Sequence, residues 1–327
     1  MIPFKLGILE PQFGHLAKNI EVLPRCRVLG GKELGLLGVG EAHGACSLLH
    51  AAGIGYGASL PLTLNTKVAL RDNPPKNEPD DPDNLLESVL KSWEDAGHKS
   101  PDAEKLYWAV KSEIPPRQGL KSSSSVAIAA LRALCAATDT NLENSELVDM
   151  ATNAHFNAGI TITGSKDDNW AVCEGGWKIV DPNLPASESV LFKGEGPSPE
   201  EWDVLIVLRE ERDSLPSAED FTYHQQAFSK ALEALQNQNP IMAMTWNGRA
   251  MCGVLNDNTN RRLTNDAMVN GGRGSGISGS GNSIVVFSPA ASKPTLERIA
   301  KWYESKGFDL IITKPLLAEE KSEDEDS

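Results

Sequence analysis

The sequence predicts an α+β protein in two parts, and three observations carry that expectation. A length of 327 residues exceeds the usual size of one compact domain. Strand-like runs alternate with helix pairs and show no fixed repeat. A Ser-, Pro- and Gly-rich stretch from Asp181-Pro182-Asn183 to about Glu201 interrupts the pattern. The apolar set makes up 40% of the chain, beside 28 glycines, enough for a large core and incompatible with wholesale disorder.

Residues 1–37 have no clear period and are expected to be an amino-terminal extension of unknown role. Gly44 to Ala52 reads as a helix with small faces, placing His43 and His50 along one element; they are expected to be structural. Ala58 to Leu70 reads as extended chain. Asn73 to Asp83 carries four prolines and four acids, a loop composition. Leu85 to Ala96 has a helical period, Val126 to Ala137 reads as a small-residue helix, and another helix follows with Asn144 or Ser145 as its cap. The first domain is expected over 38–190. The second, over 200–315, starts with a strand at Trp202–Leu208 and helices at Tyr223–Asn237 and Pro240–Leu255. A polar helix ends at Gly271, and a glycine-serine loop runs from there to Ser283. A strand (Ser283–Ser288), a helix (Pro294–Lys306) and a strand (Phe308–Ile312) close it. Residues 316–327 are expected to be a solvated acidic tail, since Glu319 to Asp326 holds six acids and one base.

Composition excludes several classes. With 31 Lys plus Arg against 45 Asp plus Glu and a net charge of -14, the chain is a poor match for nucleic acid or an anionic membrane. Five cysteines without a CxxC pair give neither a disulfide framework nor a zinc signature, and no HExxH is present. Met1 to Lys5 does not open a signal peptide. The longest charge-free run, Ala42 to Thr66, is too polar and glycine-rich to span a bilayer. The expectation is a soluble cytoplasmic protein with small-molecule partners.

The chemistry gathers at Pro115, Pro116, Arg117, Gln118, Gly119, Leu120, Lys121, Ser122, Ser123, Ser124 and Ser125, which run into the alanine-rich helix. A glycine permits close backbone approach. Consecutive serines add hydroxyls to the free N–H groups at a helix start, whose dipole favours an anion. Lys121 adds a mobile cation for a phosphate. The spacing is not a Walker A loop, and a serine-rich linker capping a helix is the plainer alternative.

This segment resembles the phosphate-binding motif of the GHMP small-molecule kinases. Glu113-Ile114-Pro115…Gly119-Leu120-Lys121-Ser122-Ser123-Ser124 looks like its archaeal-type shikimate kinase branch. Gly40…Gly44-Ala45 through Gly53-Ile54-Gly55-Tyr56-Gly57 resembles that branch's first motif. Ala158 to Asp168 resembles its Thr-Gly-x-x-Asp-Asp segment. Ala243-Met244-Thr245-Trp246-Asn247-Gly248 and Gly276-Ile277-Ser278-Gly279-Ser280-Gly281 match its carboxy-terminal half. The resemblance covers about residues 38–315. It implies a two-domain α+β GHMP kinase fold, with an N-terminal ATP-binding α/β domain and a C-terminal ferredoxin-like α+β domain. It also implies ATP with Mg2+, and transfer of the γ-phosphoryl group to the 3-hydroxyl of shikimate, a step toward aromatic amino acids. Homoserine is the alternative acceptor, and a non-catalytic metabolite sensor the alternative outside catalysis.

The same resemblance makes Asp168 the catalytic candidate, seven positions before Gly175-Gly176, as general base or orienting group. Asp167 is its neighbour, for substrate, metal or support. Asn247, Arg273, Gly279 and Ser280 are candidates to bind the acceptor, with Arg249 a rival to Arg273 for its carboxylate. Ser123 is the candidate Mg2+ ligand. The departures are a stretch, Met150 to Ile160, without the relatives' acid, and Lys166 beside the aspartates. Lys166 is expected to lower a carboxylate pKa and weaken it as a base. The glycine-serine loop reads either as N–H donors over phosphate or as a flexible linker.

Overall fold

The computed structural model describes residues 35–161, 163–210 and 216–318. The expected extension before residue 35 and the acidic tail beyond residue 318 lie outside the described residues. In chain order the strands are β1 (Leu36–Leu49), β2 (Ala58–Arg71), β3 (Tyr107–Ser112), β4 (Trp177–Val180), β5 (Val190–Gly194), β6 (Trp202–Val207), β7 (Gly274–Ile277), β8 (Ile284–Pro289) and β9 (Leu310–Thr313). The helices are α1 (Ala51–Ile54), α2 (Leu85–Asp95), α3 (Ser122–Thr138), α4 (Asn144–Ala158), α5 (Lys166–Cys173), α6 (Ala186–Ser189), α7 (Ala218–Thr222), α8 (Gln225–Gln236), α9 (Pro240–Val254), α10 (Asn258–Val269) and α11 (Lys293–Glu304).

In the first half, β1, β2 and β3 form an antiparallel sheet in that order. The alanines of α3 let it lie close on the sheet; with α2, α4 and α5 it encloses a core around Val68, Trp93, Leu131 and Val172. Asp81, in the proline-rich loop, accepts from the amides of Leu85 and Leu86 at 2.9 and 2.8 Å and so starts α2. In the second half, β7-β8-β6-β9 is fully antiparallel. Numbered within that sheet the order is 2-3-1-4, the split βαβ arrangement of ferredoxin-like folds. Leu60 of β2, Phe228, Met244 and Val285 share one buried cluster, so the two halves meet through apolar contact.

Three expectations change. Gly44 to Leu49 is the end of strand β1, not a helix; only Ala51–Ile54 is helical. Residues 44–49 are all buried, and a strand covered on both faces reads as a continuous run that periodicity cannot tell from a buried helix. His43 and His50 therefore do not share a helix. The glycine-serine stretch contains β7, whose small residues show no alternation but pair with β8. The cap of α4 is Glu143, in a capping box with Glu146, whose carboxylate accepts from the Glu143 amide at 2.9 Å. Asn144 instead donates to Glu174 at 2.9 Å. Among the described residues, no helix is long and apolar enough to cross a membrane.

Candidate active site

A helix starts directly after the loop expected to bind an anion. Residues 115–121 form a loop and α3 begins at Ser122, with Lys121 at its cap in the left-handed region (φ 65°) and no side-chain cap. The first-turn amides therefore have neither an intrahelical acceptor nor a capping side chain. Gly119 is also left-handed (φ 74°), and a Cβ there would fall 1.9 Å from the Ser278 carbonyl oxygen, so only glycine fits. Ser122 and Ser123 are half-buried, while Ser124 and Ser125 are buried, Ser125 donating to the Ala42 carbonyl at 3.2 Å. Leu120 is buried and its carbonyl accepts from Ala45 N at 3.1 Å. Pro116 and Arg117 are exposed, and Pro115 is half-buried.

Lys121 is not the mobile cation the sequence suggests. Its ammonium lies 2.9 Å from Asp168 Oδ1 and donates to Ser47 Oγ at 2.6 Å, with its side chain only 9% exposed. Ser59 Oγ donates to the same Asp168 Oδ1 at 2.7 Å. Two donors thus converge on one carboxylate oxygen. Asp167 and Asp168 occupy the first turn of α5, where the helix dipole favours negative charge.

The two aspartates differ sharply. Burial first, and then the charge of Asp168, raise the Asp167 carboxyl to about 8. Its carboxylate packs on Gly57, where a Cβ would sit 2.4 Å from Asp167 Cγ. Contrary to expectation, Lys166 does not hold this group down. Its amine turns away to the Leu184 carbonyl and to Asp149 at 3.2 Å, because successive helix positions project about 100° apart. Burial, reinforced by Lys121, lowers His50 to about 4, so its imidazole is neutral; His155 is likewise lowered to about 4, chiefly by burial.

The glycine-serine loop packs against the 115–121 loop. Ser278 Oγ donates to the Gly119 carbonyl at 2.7 Å and accepts from Ser47 N at 3.1 Å. Ser283 Oγ donates to the Gln118 carbonyl at 2.6 Å. Gly279 faces Lys121 and Ser47, where its Cβ would lie 3.1 Å from Nζ and 3.2 Å from Oγ; Ser280 is half-buried beside it. Asn247 is fully buried, its Oδ1 accepting from His50 N at 2.9 Å, and its Nδ2 has no partner among the described residues.

Arg273 is not brought to this cluster. It is exposed at the start of β7, four residues before Ile277 and so about 13 Å back along the strand. Arg249 is also exposed and lies over Trp246 at 4.9 Å, with Lys230 over the same ring at 4.4 Å. Ser47 and Ser59 were missed in the sequence, although each is a hydroxyl inside a buried apolar strand and so must find a partner. For magnesium, no cluster of three acidic, His or Cys side chains exists among the described residues. The half-buried Ser123 hydroxyl is the donor at the helix start, while Asp167 is buried and raised to about 8; so sparse a set fits only an ion leaning on phosphates and water.

Residues 84–176, which include the 115–121 loop and both aspartates, match the family of GHMP kinases N terminal domains. The chain is similar to a shikimate kinase of Methanobrevibacter smithii, 24% identical over 283 residues, covering 82% of this chain and 94% of that protein. It is also similar to a shikimate kinase of Methanococcoides burtonii, 29% identical over 204 residues, covering 60% of this chain and 65% of that protein. In fold it resembles the mevalonate kinase of Methanococcus jannaschii, with a TM-score of 0.65, 14% identity, and 85% and 98% of the two chains covered. It likewise resembles the homoserine kinase of Cytophaga hutchinsonii, with a TM-score of 0.60, 15% identity, and 86% and 96% covered. Family match, sequence relatives and fold agree with the geometry at α3 and α5: residues 84–176 are similar to GHMP kinases N terminal domains, and the chain has the fold of these kinases.

Proposed function

We propose that the protein is a shikimate kinase, transferring the γ-phosphoryl group of ATP to the 3-hydroxyl of shikimate to give shikimate 3-phosphate and ADP. The observation that carries the kinase reading is the placement of Asp168, Lys121 and Ser59 beside the uncapped start of α3. The acceptor is drawn from the shikimate kinases to which the chain is similar.

The geometry supports a defined division of labour. Asp168 Oδ1 is filled by Ser59 and Lys121, which leaves Oδ2 to accept the proton of the attacking hydroxyl. As the new oxygen–phosphorus bond forms, the bond from the γ-phosphorus to the bridging oxygen breaks and its electrons leave on ADP. Lys121 has three N–H donors. Two are directed to Ser47 and Asp168, and the third is available to a phosphoryl oxygen. One ammonium would then hold base and phosphoryl group in register, which matters because phosphoryl transfer is mostly positioning and charge stabilisation. With Asp167 raised to about 8, its own carboxyl is mostly neutral at pH 7, which limits repulsion of the polyphosphate. Ser123, together with water and phosphate oxygens, would hold Mg2+; the ion supplies neutralisation of phosphate charge. Asn247 Nδ2 is an unsatisfied donor for an acceptor oxygen.

The test is ADP release from MgATP with shikimate, homoserine or no acceptor. Release that depends on shikimate supports the proposal. Release with homoserine alone keeps the kinase and replaces the acceptor, and binding of nucleotide without turnover on either favours a sensor.

A further inference from the structure

Beneath the phosphate loop lies a buried polar network that the catalytic reading does not use. Gln118 is 7% exposed. Its Nε2 donates to the Arg209 carbonyl at 2.7 Å and its Oε1 accepts from the Arg209 amide at 3.4 Å, so the side chain pairs with backbone like a short strand. Arg209 follows β6 in the carboxy-terminal half. Its guanidinium donates to Asn282 Oδ1 at 3.0 Å and lies 3.4 Å from Asp257. Asn260, fully buried, donates to the same Asn282 oxygen at 3.0 Å, and Asn282 Nδ2 donates to the Glu210 carbonyl. Asn282 belongs to the glycine-serine loop, whose Ser283 holds the Gln118 carbonyl. Every polar atom of the Asn282 side chain is thus directed inward, and the residue is 7% exposed, so it is turned away from any ligand on the loop.

We propose that Gln118, Arg209 and Asn282 act as one clasp through which the carboxy-terminal half fixes the phosphate loop in its nucleotide-binding conformation; this rests on the kinase reading above. Gln118 and Asn282 are positioning residues. Gly119 and Lys121 hold left-handed backbone angles that a free loop would not keep, and the Gln118 pairing anchors the residue just before them. Loosening the clasp therefore weakens nucleotide binding specifically, without removing a group that touches phosphate.

The experiment measures the dissociation constant of a fluorescent ATP analogue without acceptor, and the acceptor KM, for wild type, Gln118→Ala, Asn282→Ala and the double variant. Each single variant is expected to weaken nucleotide binding about tenfold, the scale of one or two lost buried hydrogen bonds. The acceptor KM is expected to stay within about twofold. The double variant is expected to lose much less than the product of the singles, since both act through Arg209. Unchanged nucleotide binding by a cooperatively folding Asn282→Ala variant overturns the proposal, as do multiplicative losses or equal losses for nucleotide and acceptor. Wild-type protein that binds no nucleotide overturns the kinase reading and the clasp together.

Discussion

Replacing Lys121 by methionine probes the centre of the site without relying on turnover. Methionine keeps the apolar stem and removes the ammonium, leaving Asp168 with only Ser59 as donor to Oδ1. Side-chain exposures of 9% for Lys121 and 17% for Asp168 place the pair well below the surface. Breaking a buried pair by removing one member typically costs about 3–5 kcal/mol, against 0–1 kcal/mol for an exposed pair. The partial exposure of Asp168 puts the expectation at the lower end, about 3 kcal/mol. Most of that is the penalty of an uncompensated carboxylate, so Lys121→Met combined with Asp168→Asn should recover a large part of the loss. Urea unfolding at pH 7 of wild type, both single variants and the double variant measures this cycle. A loss below about 1 kcal/mol for Lys121→Met, or a double variant no more stable than it, would show that the pair is screened and that the ammonium is free to leave Asp168.

Three further outcomes are expected. Asp168→Asn should lower turnover by about 10²–10⁴, the range of a positioned proton acceptor, with nucleotide affinity changed by less than about threefold; steady-state kinetics beside a binding titration separates the two, and unchanged turnover removes Asp168 from the mechanism. Asp167→Asn should become more stable relative to wild type as pH rises. The native carboxyl, raised to about 8, keeps its proton where the unfolded chain, near 3.8, has lost it. Wild-type stability from this group is therefore full below about pH 4, falls through the interval to about pH 8, and is flat above it. Melting curves at pH 5 and pH 8 that move in parallel for the two proteins would refute this. Gly57→Ala forces a Cβ to within 2.4 Å of Asp167 Cγ and should destabilise by about 1–3 kcal/mol; an unchanged denaturation midpoint would mean that the carboxyl moves aside freely.

What the sequence disclosed, and what it hid, follows from how each feature is encoded. The 115–121 loop and the start of α3 were legible because their residues are contiguous: a glycine, a lysine and serines leading into a helix. The ferredoxin-like half was legible where strands are apolar and helices long, as with β6, α9 and α11. Strand β1 was misread because its second half is buried on both faces, which erases the alternation that marks a strand. Strand β7 was hidden inside a glycine-serine stretch because its pairing partner, β8, decides its conformation. Ser47, Ser59, Gln118 and Arg209 are individually unremarkable residues whose roles arise only when β1, β2 and the end of β6 are brought to the phosphate loop.

The two lysines near the aspartates show why adjacency in sequence was the wrong guide to electrostatics. Lys166 is the chain neighbour of Asp167, yet its amine bonds the Leu184 carbonyl and Asp149, where it fastens α5 to the segment that follows β4. Lys121, remote in sequence, is the cation that reaches Asp168. The distinction sets the charge of the site. Had Lys166 faced inward, a second cation would stand beside the aspartates. As folded, one ammonium meets Asp168, and the carboxyl of Asp167 is raised to about 8 by burial and by its neighbour's charge. On the kinase reading proposed above, Asp167 adds little repulsion near pH 7, and attraction for polyphosphate draws on the helix start and on the cation that accompanies the nucleotide. On that reading, holding the left-handed turn that aims the α3 amides is a requirement of binding, and the serines and the glutamine that clamp this turn would be as much a part of the site as the aspartate.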